Sequence, residues 1–269
     1  MNYFLNLLSK ILLFPLQPLF RKFEKCVPID YGNRQANLII GFVTWLIKRN
    51  HGLGNERLHL PETGGAIIVA NHVSSIDAFS ILGSSNRVIR ALATSNYNHI
   101  PFVKKILEIG NCIFVHEIFD KDGKLIPSNN AARDAAVAAL KNNSVILIFP
   151  FGGYHSPLKP EPPIKLGAAK IAKLANEQLL QEGKTPHVRI CPMFVTGLNP
   201  KSYHKPFKCF IQKNQVGIIE YPHIMPDEIM NLSAEEISNR IRPLVSMHDA
   251  RDSAGNLIKQ THAKTADVE

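Results

Sequence analysis

The chain has 269 residues, 45% hydrophobic and 20% charged, which supports a large packed core and excludes a disordered polyelectrolyte. Its 31 Lys and Arg against 22 Asp and Glu leave a net charge of +9, favouring an anionic partner: nucleic acid, anionic lipid or a phosphorylated substrate. The excess is concentrated in residues 1–60, and no basic stripe interleaved with aromatics marks a nucleic-acid surface.

The first 20 residues are rich in Leu, Ile and Phe, but Asn6, Ser9, Lys10 and Gln17 interrupt them and Pro15 and Pro18 break a continuous spanning helix. No basic residue precedes the apolar stretch and no small-residue cleavage site follows it, so the pattern is not that of a signal peptide. Phe4, Leu8, Ile11 and Leu12 recur at helical spacing, and Arg21, Lys22 and Lys25 follow, as in a helix lying in the lipid interface. A second apolar run, Ala36 to Ile47 with Trp45 near its end, closes on Lys48 and Arg49. Residues 1–50 are thus expected to form a helical segment on an anionic membrane surface; the competing reading is two core helices of a soluble protein. Cys26, Cys112, Cys191 and Cys209 form no CxxC pair and fit buried thiols in a reducing compartment, which places the membrane contact on the cytoplasmic face.

From residue 60 the pattern is α/β. Ala66 to Ala70 is a β-branched run that reads as a buried strand ending at Asn71-His72. Helix is predicted over Ala78 to Gly83, strand over Val88 to Ala93, helix over Phe102 to Ile109 and strand over Cys112 to Val115. Asn129 to Lys141 is an alanine-rich helix feeding the strand Val145 to Phe149, which stops at Pro150-Phe151-Gly152-Gly153. A long helix over Ile164 to Leu180 and a strand over Val188 to Val195 follow. Ser233-Ala234-Glu235-Glu236 is a capping box opening a last helix to about Val245. The alternation predicts one mainly parallel or mixed central sheet covered by helices, over residues 51–248, with 249–269 a disordered tail.

His72-Val73-Ser74-Ser75-Ile76-Asp77 has H-x4-D spacing, of which the composition gives about 0.4 chance occurrences; a second copy, His262 to Asp267, lies in the tail. The first follows a buried strand and precedes a helix, the junction where open α/β sheets place ligands. Five residues apart within one helix, the two side chains would point about 140° apart. They meet only if His72 precedes the helix and Asp77 lies in its first turn. The carboxylate would then fix the imidazole tautomer, and the second ring nitrogen would take a proton from a hydroxyl or amine. The alternative is structural: Ser74-x-x-Asp77 is also a helix N-cap signature.

Several segments, in order, resemble one family. Pro61 to Asp77 resembles the first motif of the glycerolipid (lysophosphatidic acid) acyltransferases. Ile100-Pro101-Phe102 and Asn111 to Val115 resemble the approach to the second motif. Ile148-Phe149-Pro150-x-Gly152 resembles the third, F-P-E-G-T-R, and Ile164-Lys165-x-Gly167-Ala168-Ala169 the F-K-x-G-A helix start after it. Ile190 to Phe194 resembles the fourth motif, and Leu232 to Glu236 the closing helix.

The resemblance implies acyl transfer from an acyl thioester, on coenzyme A or acyl carrier protein, to a hydroxyl of a lipid acceptor, with no metal and no other cofactor. His72 would be the general base and Asp77 its orienting partner. Backbone N–H groups of Gly152 and Gly153 would hold the oxyanion, unless those glycines merely make a tight turn. The sequence departs from the motifs where the headgroup is held: Phe151, Gly153 and Tyr154 replace Glu, Thr and Arg, and His116-Glu117 replaces Asp-Arg. Loss of two arginines removes the bidentate donors a phosphate prefers. Phe151, Tyr154 and His116 are therefore expected at an altered acceptor site, with His155, Lys159, Lys165, Arg87 and Arg90 as sources of replacement charge. The expected acceptor is a lysophospholipid with a larger headgroup, a lyso-aminolipid or another hydroxylated lipid. The alternatives are a membrane-binding protein that keeps the fold without turnover, and a thioesterase in which His72 activates water.

Overall fold

The computed structural model describes residues 21, 23, 34–52, 57–95, 104, 107–108, 110–115, 118–119, 125–126, 130–153, 160–197 and 216–248. The expected interfacial helix over residues 4–12, most of the helix over 102–109, and the tail from 249 lie outside these. Helix α1 (Arg34–His51) precedes strand β1 (Ala66–Ala70), helix α2 (Ser75–Ser84) and strands β2 (Ile89–Thr94) and β3 (Ile113–Val115). Two short strands, β4 (Ile118–Phe119) and β5 (Leu125–Ile126), pair antiparallel. Helix α3 (Asn130–Lys141), strand β6 (Val145–Ile148), helix α4 (Gly167–Gln181), strands β7 (Arg189–Thr196) and β8 (Gly217–Glu220), and helices α5 (Pro226–Asn231) and α6 (Ala234–Val245) complete the order.

The main sheet runs β3-β2-β6-β1-β7-β8. All neighbours are parallel except β7 and β8. β1 is central, and its five residues are wholly buried because both faces are covered, so the strand reads as a continuous apolar run. The two-residue period sorts its side chains. Ile67 and Val69 join Ile146, Ile148 and Ile190 under α3, α4, α5 and α6. Ala66, Ile68 and Ala70 join Leu147, Cys191 and Met193 on the other face, beneath α1 and α2. Each fully buried Ile contributes about 1.5–3 kcal/mol through apolar burial. Burial also pushes the Cys191 thiol up to about 12, so it stays protonated as a core residue.

Helix α1 packs on α2, where a side chain at Gly83 would stand 2.8 Å from Thr44 Cγ2, and α1 seals the core with Ile47. Among the described residues no helix is long and apolar enough to cross a membrane. Helix α4 begins three residues later than its apolar pattern predicts. The Lys165 N–H instead donates to the Pro150 carbonyl at 2.9 Å, holding the preceding segment against the turn after β6. Strand β8 and helix α5 are additions to the sequence reading. Ser233 and Glu236 form the expected reciprocal cap of α6.

Candidate active site

Strands β1 and β6 are parallel with Val69 opposite Ile148, so the residues leaving their C-terminal ends emerge side by side. Asn71 follows β1, fully buried, and its amide continues the ladder in place of backbone. Nδ2 donates to the Val195 carbonyl at 2.9 Å, and Oδ1 accepts the Val195 N–H at 2.7 Å. This clamp releases the main chain from strand pairing and fixes the position of His72. From the neighbouring strand, the Phe149 ring lies flat against the imidazole, with centroids 3.7 Å apart and planes 4° from parallel.

Asp77 is the third residue of α2, and His72 precedes the helix, the arrangement that H-x4-D spacing requires. Asp77 Oδ2 accepts the Val73 N–H at 2.5 Å and the Ser74 N–H at 2.8 Å, and lies 3.1 Å from His72 Nδ1. An oxygen already accepting two backbone donors acts as acceptor to the ring as well, so Nδ1 carries the hydrogen. The carboxylate is fully buried and the imidazole 15% exposed. Ser74 completes the reciprocal helix cap. Capping and orientation of the histidine, alternatives in the sequence, are one structure: the carboxylate that caps α2 also selects the tautomer that turns Nε2 into a proton acceptor.

The turn after β6 divides the remaining candidates. The Gly152 N–H donates to the Phe149 carbonyl at 3.0 Å, so it closes the turn and is not available for an oxyanion. Gly152 has φ +81°, a left-handed conformation that suits glycine. The Gly153 N–H makes no hydrogen bond among the described residues, and the space above its α-carbon is open. The Phe151 side chain departs from the expected acceptor site: it is 5% exposed and packed in the core with Ile148 and Ala168. Burial is what an apolar ring gains at a position where an acid would need solvent or a partner. Tyr154, His116, His155 and Lys159 lie outside the described residues.

Lys165 crosses directly over Gly152; a Cβ there would lie 2.1 Å from its Nζ. Its ammonium forms no ion pair among the described residues. Arg87 is turned elsewhere, donating to the carbonyls of Pro61 and Asn143 near the opposite ends of the strands. Arg90 lines clefts that do not include His72. The roles of Asn71, Phe149 and the Gly152–Lys165 contact are not legible in the sequence, because each depends on strands that are distant in the chain.

Residues 55–196 match the family model for acyltransferases. No curated protein matches the chain. In fold it is similar to the crystal structure of the 1-acyl-sn-glycerophosphate (LPA) acyltransferase PlsC from Thermotoga maritima, with a TM-score of 0.54 and 19% identity over 91% of this chain and 95% of that one. That likeness carries the architecture. The family match spans more than half of the sequence and contains β1, the His72–Asp77 pair, the turn after β6 and β7, and the chain belongs to the acyltransferase family.

Proposed function

We propose that the protein moves a fatty acyl group from an acyl thioester, on coenzyme A or acyl carrier protein, to a hydroxyl of a lysophospholipid or related lipid. The observation that carries this reading is the imidazole held by Asp77 at the mouth of the central strand, in a chain of the acyltransferase family. His72 Nε2 takes the proton of the acceptor hydroxyl as its oxygen attacks the thioester carbonyl carbon. Asp77 stabilises the imidazolium that forms, and the Gly153 N–H donates to the developing oxyanion in this reading. Collapse breaks the C–S bond, and the imidazolium returns its proton to the departing thiolate. No metal or other cofactor enters these steps.

Lys165 supports the altered-acceptor reading. Its ammonium lies over Gly152, in the turn after β6, and would pair with an anionic headgroup where the motif arginine is missing. Residues 51–248 form the catalytic unit in this reading, with residues 1–50 and the tail outside it. Phe23, Phe42 and Trp45 cluster with ring centroids 5.1 to 6.3 Å apart, and the Arg49 guanidinium lies 5.2 Å from the Trp45 ring. Aromatics beside a cation suit the headgroup layer, which supports peripheral attachment to an anionic membrane, and the free buried Cys191 fits its cytoplasmic face.

The test incubates membranes carrying the wild type or His72→Ala with a labelled acyl thioester and a panel of lysolipids. Acylated lipid that disappears in the variant supports transfer. Free fatty acid alone identifies a thioesterase, and no turnover by the wild type identifies a binding protein. With a charged lysolipid, Lys165→Met is expected to raise KM more than it lowers kcat. If it acylates the charged lysolipid that the wild type uses best as well as the wild type does, Lys165 is not the headgroup cation.

A further inference from the structure

The Asp77 carboxylate is only half satisfied. Oδ2 takes all three contacts, from Val73, Ser74 and His72, while Oδ1 is buried with no hydrogen-bond partner. A buried carboxylate oxygen without a donor is costly, and native interiors rarely leave one. One turn further along α2, Ser80 is also fully buried, and its Oγ likewise has no partner. One orphan is an acceptor and the other carries a donor. Residues three apart share a helix face with Cβ atoms about 5–6 Å apart. Both side chains lean toward the N-terminus, and neither oxygen reaches the other directly, which leaves the gap to a bridging water.

We propose that Ser80 is a positioning residue for the His72–Asp77 pair: its hydroxyl donates to Asp77 Oδ1 through one bridging water and completes the shell of the carboxylate that orients the imidazole. The two unsatisfied groups answer each other, and no other described residue supplies a donor to Oδ1. Ser80 touches neither substrate nor the reacting atoms. It acts by fixing the carboxylate plane and sharing its charge, so that Oδ2 stays aligned with Nδ1. Removing the hydroxyl leaves the negative charge less compensated, which favours the imidazolium over the neutral ring that accepts the substrate proton.

The proposal rests on His72 acting as base only in its kinetic arm, and an NMR titration of the imidazole decides it independently of turnover. Ser80→Thr and Ser80→Val have nearly the same shape and differ in the hydroxyl, so packing effects cancel between them. In Ser80→Val the acid limb of the kcat/KM profile and the imidazole titration are both expected to move to higher pH by about half a unit or more, while Ser80→Thr stays with the wild type. If Thr and Val titrate alike, or Val lowers only the melting temperature, Ser80 is a packing residue and the proposal is overturned. If the imidazole titrations separate Ser80→Val from Ser80→Thr but the wild type transfers no acyl group, the proposed function is overturned and the Ser80 contact stands.

Discussion

The two ends of the central strands carry the same parts put to opposite use. At the C-terminal mouth, His72 presents Nδ1 to a carboxylate; at the base, His187 Nδ1 accepts the Gly65 N–H at 3.0 Å, just before β1. One ring is held by an acceptor and must keep its Nδ1 proton. The other is held by a donor and must leave Nδ1 bare. Each histidine has a buried asparagine close by that clamps an end of β7. Asn71 grips Val195 through both amide atoms, and Asn176 grips Val188 in the same way, with both contacts at 2.9 Å. The neighbour therefore decides which ring nitrogen carries the hydrogen: a carboxylate holds it on Nδ1, and a backbone N–H leaves Nδ1 bare.

The largest break in this contrast is His72→Ala. Loss of a general base is expected to lower acyl transfer by about 10²–10⁴-fold, measured with a labelled thioester, with little change in melting temperature. Asp77→Asn comes next. Its side-chain oxygen can still cap α2, but it loses the charge that holds the imidazolium, so turnover should fall steeply while the fold survives. If activity and stability fall together, the carboxylate is only a cap. The two asparagines sharpen the comparison further. Asn71→Leu and Asn176→Leu each strand a buried N–H and a buried carbonyl, at about 1–3 kcal/mol per group in chemical denaturation. Asn71→Leu should also reduce turnover, because His72 hangs from that clamp, whereas any loss of turnover in Asn176→Leu should only follow its loss of folded protein.

The smallest expected effect concerns pH. Burial, then the nearby Arg189 and Lys184 charges, hold His187 below its ordinary 6.5 despite a backbone hydrogen bond that raises it, and burial and Arg189 do the same to His223. The unfolded chain therefore binds these protons at higher pH than the folded one, and stability declines as pH falls below 6.5. Glu182 and Glu236 are held below their ordinary 4.5, first by the Lys141 contact and by the Ser233 backbone N–H, so their loss belongs to more acidic solutions. Melting temperatures between pH 7.5 and 5 should show the decline. His187→Gln, whose amide oxygen accepts from Gly65 without titrating, should flatten it; an unchanged slope would assign the decline to His223.

Residue patterns show most clearly where an interaction is local. β1 and β6 stand out because parallel strands buried on both faces become unbroken β-branched runs, and the caps of α2 and α6 because their bonds close within four residues. The His72–Asp77 contact belongs to the same class: five residues and a strand-to-helix junction allow one geometry in which the side chains meet. What the sequence hides is lateral. Phe149 meets His72 only because β6 lies beside β1, 79 positions later in the chain, and no local pattern gives that order. For Gly152 the sequence leaves an oxyanion donor and a tight turn both open, because the turn that spends its N–H depends on backbone angles. Strand β8 is four half-buried residues with no period to announce it.

Helix α2 joins two surfaces with different tasks. Asp77 stands in its first turn, and Gly83, six residues on, receives Thr44 of α1. Six residues of helix are a strut of about 9 Å that neither stretches nor folds under ordinary loads. The offset between the aromatic face of α1 and the imidazole is thus set by a rigid length rather than by a linker. A protein resting on lipid through that face would work at one fixed height, and an acceptor whose hydroxyl lies deeper or shallower would have to move to meet it.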